Sequence, residues 1–445
     1  MTNRTLCLKT LWLLSIPVLL ALPSAAGEKP GPKFEFKDKA ALDVDARCPA
    51  RLSPDGKTVL YVRKVDGGKD YAYFAVGADG KNDRKVFAST LGWDDPFTFC
   101  FGKGIFSPDG KRFAALTTSD GKGLREEGLA AMRLCALDGK SKPEKLPSKA
   151  GRQVGTVFAA DGSVIFPDGF PKSPKDQGET WSCTLRRVSP QGKVSTVIEL
   201  KDALLLALTA SPRRDRVAAV ILRKLPEGGR GRPEMRLWAC DLASGKTDST
   251  GSLHLDDYFY DGGPALFWSL DGRCVYTNGN VSGGRKSPFS LLKFEPFKKT
   301  AAAGAEETKA FEKLVAQMGA NDFATREKAT RQLRAAGPRA LAVLHKAAKS
   351  ADPEISSRAA VLVNELGGKV ALVARDESLI SLGELAPGKL SVAGRQTKKC
   401  YVLDAASGSK TELPEPLLLV DRSGSTGLFA NLETRKLVVA KIEAK

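Results

Sequence analysis

The chain has little histidine: two residues, His254 and His345, in 445. That scarcity excludes a histidine-rich metal centre and leaves few groups for proton transfer near neutral pH. No Cys-x-x-Cys pair occurs, which removes zinc knuckles and thioredoxin-like redox sites. No G-x-S-x-G elbow is present; "RSGSTG", Arg422 to Gly427, carries Ser423 where the first glycine belongs. Phosphate-binding Walker loops and dinucleotide fingerprints are missing as well. No run of five basic residues exists, and no apolar run reaches the roughly 20 residues of a membrane-spanning helix. From these absences we expect no catalytic residue, no metal ligand and no cofactor.

What is present begins with a targeting pattern. Arg4 and Lys9 precede an apolar run, Leu11 to Leu22, followed by the small residues Ser24-Ala25-Ala26. This reads as a secretory signal, residues 1–26, cleaved near Ala26; an uncleaved anchor is the rival reading. The expected mature protein is exported, periplasmic or extracellular, with no membrane span after processing. The formal charge is +18, and loss of Arg4 and Lys9 leaves +16. Such a balance favours anionic partners, and export argues against intracellular nucleic acid. Of eight cysteines, Cys7 leaves with the signal. Cys48, Cys100, Cys135, Cys183, Cys240, Cys274 and Cys400 are far apart and mostly within apolar runs, so we expect buried single thiols, although export permits disulfides.

The strongest pattern is a repeat. "RLSPDGKTVLYV" (Arg51 to Val62) and "IFSPDGKRFAAL" (Ile105 to Leu116) set the same turn between apolar strands. Serine bonds back to the turn, proline presets its own backbone angle, and glycine takes the left-handed conformation. Looser copies are "FAADGSVIF", "TASPRRDRVAAVI" and "FWSLDGRCVYT". Asp55, Asp109, Asp161, Asp215 and Asp271 mark the five turns, at intervals of 52 to 56 residues. Each period holds a second, glycine-containing turn, as in "YFAVGADGK" and "MRLCALDGK". Each unit therefore reads as four antiparallel strands, the blade of a propeller.

"SPDGK" at Ser53–Lys57 and Ser107–Lys111 resembles the motif of the WD40-like, TolB-type propeller family, over roughly residues 45–300 and 370–445. The histidine and Trp-Asp signatures of the eukaryotic-type WD40 repeat are absent. The resemblance implies an all-β propeller. We count about seven four-stranded blades, with six or eight as alternatives. Residues 417–442 supply three strands of the last blade, and "KFEFKDKAA" (Lys33 to Ala41) supplies its missing strand.

Between residues 300 and 368 the spacing turns helical. Phe311, Leu314, Val315 and Met318 form one stripe; Phe323, Ala329 and Leu333 the next; then Leu341, Leu344 and His345; then Ile355, Ala359, Leu362, Val363 and Leu366. Asp322 and Asp352 suit helix starts, Pro353 a first helical position and Gly337 a helix end. His345 is expected in the packed core, and Arg326, Lys328, Arg331 and Arg334 on a solvated face. "ANDFATREKATRQLRAAGPRALAVLHKA" resembles a helical module inserted in bacterial secreted propeller proteins, which implies a small HEAT-like bundle. The expected organisation is signal 1–26, propeller 27–299 (blades one to five), helical insertion 300–368, and propeller 369–445 (blades six and seven with ring closure).

Long loops between second and third strands gather on one face of a propeller, and binding is commonly built on such loops. Here they contain Arg223, Lys224, Arg230, Arg232, Arg285 and Lys286, a candidate basic binding face. A carboxylate cluster, "HLDDYFYDGG" with His254, Asp256, Asp257 and Asp261, reads as a solvated loop rather than a calcium site. The resulting expectation is an exported, non-enzymatic propeller acting as an interaction or scaffold module of the cell envelope. Its protein partner would bind the helical bundle or one propeller face, and an anionic polymer is possible. Two alternatives stay open. One is a lyase or hydrolase with its site at the propeller mouth. The other is a lectin-like polymer binder, for which Trp93, Tyr258, Phe259 and Tyr260 are the candidate platform.

Overall fold

The structure, a computed structural model, describes residues 33–45, 50–65, 71–89, 105–118, 130–147, 155–168, 182–223, 234–250, 266–279, 290–297, 303–348, 350–366, 370–375, 379–394 and 397–444. The chain opens with β1 (Phe34–Asp45). Blade one is β2–β5 (Ala50–Leu52, Thr58–Lys64, Tyr71–Gly77, Arg84–Ser89) and blade two is β6–β8 (Arg112–Thr118, Ala130–Ala136, Glu144–Lys145). Blade three is β9–β12 (Val157–Phe158, Val164–Asp168, Ser182–Val188, Val194–Lys201). Blade four is β13–β16 (Ala203–Ala210, Arg216–Arg223, Glu234–Asp241, Thr247–Ser249). Blade five begins with β17–β19 (Leu266–Trp268, Val275–Gly279, Ser290–Phe294). Four helices follow: α1 (Ala305–Met318), α2 (Phe323–Ala336), α3 (Leu341–Ala347) and α4 (Pro353–Leu366). Then come β20 (Val370–Arg375), blade six as β21–β24 (Leu379–Ala386, Lys389–Gly394, Cys400–Asp404, Lys410–Glu412), and β25–β27 (Leu417–Ser423, Thr426–Asn431, Lys436–Ala444).

These strands form seven separate antiparallel sheets, the seven blades anticipated from the repeat. Six have four strands; in blade two the inner position is a single bridge, Phe106 opposite Phe113. Blade seven is β25, β26 and β27 with β1 as its outer strand, Phe34 pairing with Ala444. The first described strand thus closes the ring from the last, and removes two open sheet edges.

Burial explains why middle strands read as unbroken apolar runs. β4, YAYFAVG, is buried at its first six positions because a neighbouring blade covers each face. An outer strand such as β12, VSTVIELK, has no buried position. Apolar clusters join blade seven to one (Leu42, Tyr61, Leu437), one to two and two to three (Tyr73, Phe113, Phe158), and three to four (Val157, Leu208, Trp238). Further clusters join four to five, five to six and six to seven. Each fully buried aromatic in these seams contributes about 2–3 kcal/mol.

The serine-proline turn is a closed hydrogen-bond unit. In blade one the Ser53 amide donates to the Thr58 carbonyl at 2.8 Å and the Gly56 amide to the Ser53 carbonyl at 2.9 Å. The Ser53 hydroxyl donates to Asp55 at 2.6 Å and accepts from the Thr58 amide at 2.9 Å, while Asp55 accepts from the Lys57 amide at 3.1 Å. Gly56 sits at φ +71°, the left-handed region. Ser107, Asp109 and Gly110 repeat the arrangement.

The helices interrupt blade five itself. β20 pairs with β19, Phe294 opposite Val370, so the insertion lies between the third and fourth strands, one strand earlier than the sequence boundary between blades five and six. Both "SLLKF" and "VALVAR" read as strands, but their pairing is non-local and spacing alone does not reveal it. Asp322 caps α2 by accepting from the Thr325 amide at 2.8 Å, Asp352 accepts from the Glu354 and Ile355 amides, and Gly337 ends α2. The helices share an apolar cluster of their own, including Phe311, Met318, Leu333, Leu344 and Leu362, with no propeller residue among its described members. Two core expectations are corrected. His345 is exposed beside buried Leu344, and Phe323, at the first position of α2, is 64% exposed.

Candidate functional site

Topology fixes which surfaces can act together. Strands alternate in direction, so first-to-second turns and third-to-fourth connections emerge on one face, which we call the turn face. Second-to-third loops and blade-to-blade links emerge on the other, the loop face. The helical insertion is the third-to-fourth connection of blade five and leaves from the turn face. β14 and β18 end, and β15 and β19 begin, at the loop face.

Arg223 is the last residue of β14, paired with Ala203 and Glu234. Lys224, Arg230, Arg232, Arg285 and Lys286 lie outside the described residues, as do His254, Asp256, Asp257 and Asp261 and the candidate platform Trp93, Tyr258, Phe259 and Tyr260. Among the described residues no group of three or more His, Cys, Asp or Glu side chains is placed to hold a metal ion. Cys135, Cys183, Cys240, Cys274 and Cys400 are buried free thiols. Burial pushes Cys135, Cys183 and Cys400 up to about 12 and Cys240 to about 11, which keeps them protonated and unreactive at neutral pH. Cys48 and Cys100 lie outside the described residues.

A set of charged residues not anticipated from the sequence lies on inner strands and their turns in several blades. The Leu52 amide of blade one donates to Asp421 of blade seven at 3.0 Å, and the Leu270 amide of blade five to Glu384 of blade six at 2.6 Å. Glu384 also accepts from the Gly388 amide at 3.1 Å. It is 2% exposed, and burial raises its pKa above the usual carboxylate value, partly offset by these donors and by Tyr276. Arg422 donates to the carbonyls of Leu385 and Gly424. The Arg51 Nη1 donates to the Ala50 carbonyl at 2.8 Å, and the Arg214 Nη1 to the Phe106 carbonyl of blade two at 2.6 Å. Burial lowers the pKa of both arginines from the ordinary guanidinium value, opposed in each case by the single carboxylate of Asp421.

Arg214 breaks the turn rule. In "SPRRDR" the Arg214 amide donates to the Ser211 carbonyl at 2.8 Å, so Arg214 stands where Gly56, Gly110 and Gly272 stand in their turns. Its φ is +58°, beside +70° to +71° for those three glycines. The aspartate has moved on by one position, and Asp215 accepts from the Ser211 hydroxyl. A second departure matches the first. In two of the other turns a Cβ on the glycine would approach the preceding blade's proline, Gly110 toward Pro54 at 3.5 Å and Gly272 toward Pro212 at 3.7 Å. Blade three has Ala160 in place of that proline, and its amide donates to the Arg214 carbonyl at 3.2 Å, a bond proline cannot make. The signal was visible as two broken copies of the motif, but the reach of Arg214 from blade four to blade two was not.

The helical insertion offers the other candidate surface. Arg326 lies 5.8 Å from the Phe323 ring and 3.5 Å from Glu354; Arg358 joins Glu354 at 2.5 Å and Glu327 at 2.7 Å. Arg326 is therefore half-buried and paired, whereas Lys328, Arg331 and Arg334 are exposed as expected. These pairs form a polar seam between α2 and α4; Phe323 of α2 is 64% exposed and Val361 of α4 51% exposed.

The geometry defines a seven-bladed β-propeller closed by its first described strand. No protein-family model and no curated protein matches the sequence. Solved structures of propellers do match, TolB-type and WD40-type propellers among them. The propeller domain of the Trilobed protease from Pyrococcus furiosus is 10% identical, over 90% of this chain and 96% of that one, with a TM-score of 0.45. A putative TolB from Agrobacterium tumefaciens is 12% identical over 60% and 86%, with a TM-score of 0.34. An oligogalacturonate lyase in complex with manganese is 12% identical over 94% and 99%, with a TM-score of 0.46. The likeness is one of fold.

Proposed function

We propose that the chain is an exported, non-enzymatic propeller that holds a protein partner on its inserted helices. The carrying observation is the placement of exposed apolar side chains. Phe323 and Val361 are the most exposed large hydrophobic residues among those described, and both lie on the insertion, Phe323 on α2 and Val361 on α4. Exposed apolar groups with a polar rim are the usual material of a protein interface. A HEAT-like module, as the sequence resemblance implies, would act in the same way. No helix among the described residues is long and apolar enough to cross a membrane. Export belongs to the same proposal and rests on the apolar run at Leu11–Leu22.

The test is a crosslinking capture from cell-envelope extract, followed by direct binding of the captured protein in purified form. Comparison is made with a Phe323→Ser, Val361→Ser double variant whose helix content is checked by circular dichroism. A reduction of at least tenfold in affinity supports the reading. Equal affinity for the folded double variant removes the insertion from recognition.

A further inference from the structure

Every glutamate whose side chain is described on the inserted helices is paired with a basic residue of the insertion, Glu327 with Arg358 at 2.7 Å and Glu354 with both Arg326 and Arg358 among them. Asp322 and Asp352 are taken by helix-start amides. Lys328 and Arg331 of α2 are exposed, and among the described residues neither enters an ion pair or a hydrogen bond. Positive charge is therefore left unmatched on the helix that carries Phe323.

The ion pairs also set how the two helices lie. Arg326 meets Glu354 and Thr330 meets Arg358, so α2 and α4 advance in the same direction with a constant offset of 28 residues. Phe323, Glu327 and Arg331 follow at intervals of four on α2. Glu354, Arg358 and Val361 follow at four and three on α4, so each set occupies one stripe of its helix. The Glu327–Arg358 pair joins the stripes. With that offset Val361 is level with Leu333, about 15 Å along the seam from Phe323, and Arg331 stands within one turn of that level. Lys328 lies three positions before Arg331, on the neighbouring surface of α2. The seam thus offers two apolar contacts, a stretch of mutually paired charges between them, and two unmatched cations on the α2 side.

We propose that this seam takes an acidic segment of the partner protein, with apolar side chains of the segment on Phe323 and Val361 and its carboxylates at Arg331 and Lys328. The inference rests on the reading of the insertion as the partner site. Unmatched charge of one sign beside apolar anchors favours segments of the opposite sign and rejects basic ones.

The experiment measures binding of two short labelled peptides to the full mature chain by fluorescence anisotropy. Both carry leucines at the same positions, spaced to reach Phe323 and Val361; glutamates fill the charged positions of one and lysines those of the other. The variants are Lys328→Glu with Arg331→Glu, the milder Lys328→Gln with Arg331→Gln, and Phe323→Ser with Val361→Ser, each checked for helix content by circular dichroism. A control, Lys81→Glu with Lys140→Glu, makes the same charge change on the propeller. The acidic peptide should bind wild type at least tenfold more tightly than the lysine peptide. Charge reversal on α2 should invert that preference, the glutamine pair should weaken it by less, and the propeller control should bind as wild type does. No preference for the acidic peptide overturns the inference, as does an equal loss in the propeller control. Binding that is lost in Phe323→Ser with Val361→Ser but untouched by charge reversal also overturns it, and leaves the insertion as a partner site of another chemistry. Binding of the acidic peptide that ignores every insertion variant counts against both readings.

Discussion

Glu384 shows how a single buried residue in this fold gains a measurable signature. Its carboxylate accepts two backbone amides and is shielded by blades five and six, and burial raises its pKa. A raised folded value means that the native state holds the proton more tightly than the unfolded chain does. The associated stability is fully present below the unfolded carboxylate value near 4.3 and is lost as pH rises through the folded value. Glu384→Gln removes this titration. The stability of wild type relative to Glu384→Gln, from urea unfolding at pH 4 to 7, should therefore fall steadily with pH; a rising difference would contradict the assignment. Glu384→Ala leaves two buried amides unpaired and should cost about 2–4 kcal/mol at either pH. In sequence, "GELAPG" shows nothing of this, because the Leu270 donor is 114 residues away.

At the scale of elements, the local signals and the non-local ones separate cleanly. The Ser-Pro-Asp-Gly turns, the apolar middle strands and the helix caps at Asp322 and Asp352 are short-range devices, and each was legible from a few neighbouring residues. Ring closure by β1 was legible because blade seven lacked a strand and an alternating segment near the start could supply it. The host strand of the helices was not legible, since hydrogen bonding between "SLLKF" and "VALVAR" spans the whole insertion. This pairing carries a direct consequence. Phe294 and Val370 face each other across the sheet, and the helices keep a separate apolar cluster. Replacing residues 300–368 with a short Gly-Ser linker should therefore leave a soluble propeller. Circular dichroism should lose its helical contribution, while a single cooperative unfolding transition remains. Aggregation, or loss of that transition, would show that the helices are needed to complete blade five.

For the whole molecule, the alternation of strand direction divides the surface into two working faces. Helices and serine-proline turns leave from one; β14 and β18 end at the other, and Arg230, Arg232, Arg285 and Lys286 follow them in the sequence. A chain of net charge +18 attracts anionic polymers from any side, so charge alone cannot distinguish a binding face from a soluble surface. Matched variants can. One replaces those four loop residues with serine. The other replaces Lys81, Lys140, Lys193 and Lys246, which are exposed and follow the third-strand turns on the opposite face. Both remove four charges and differ only in where they remove them. On a sulfated-polysaccharide column the loop variant should elute at clearly lower salt than wild type, and the turn variant close to wild type. A focused contact releases counterions from one region of the polymer, and its salt dependence falls with each charge lost there. Equal shifts for the two variants would mean that the polymer senses overall charge, and the loop face would lose its claim as an anionic-polymer site.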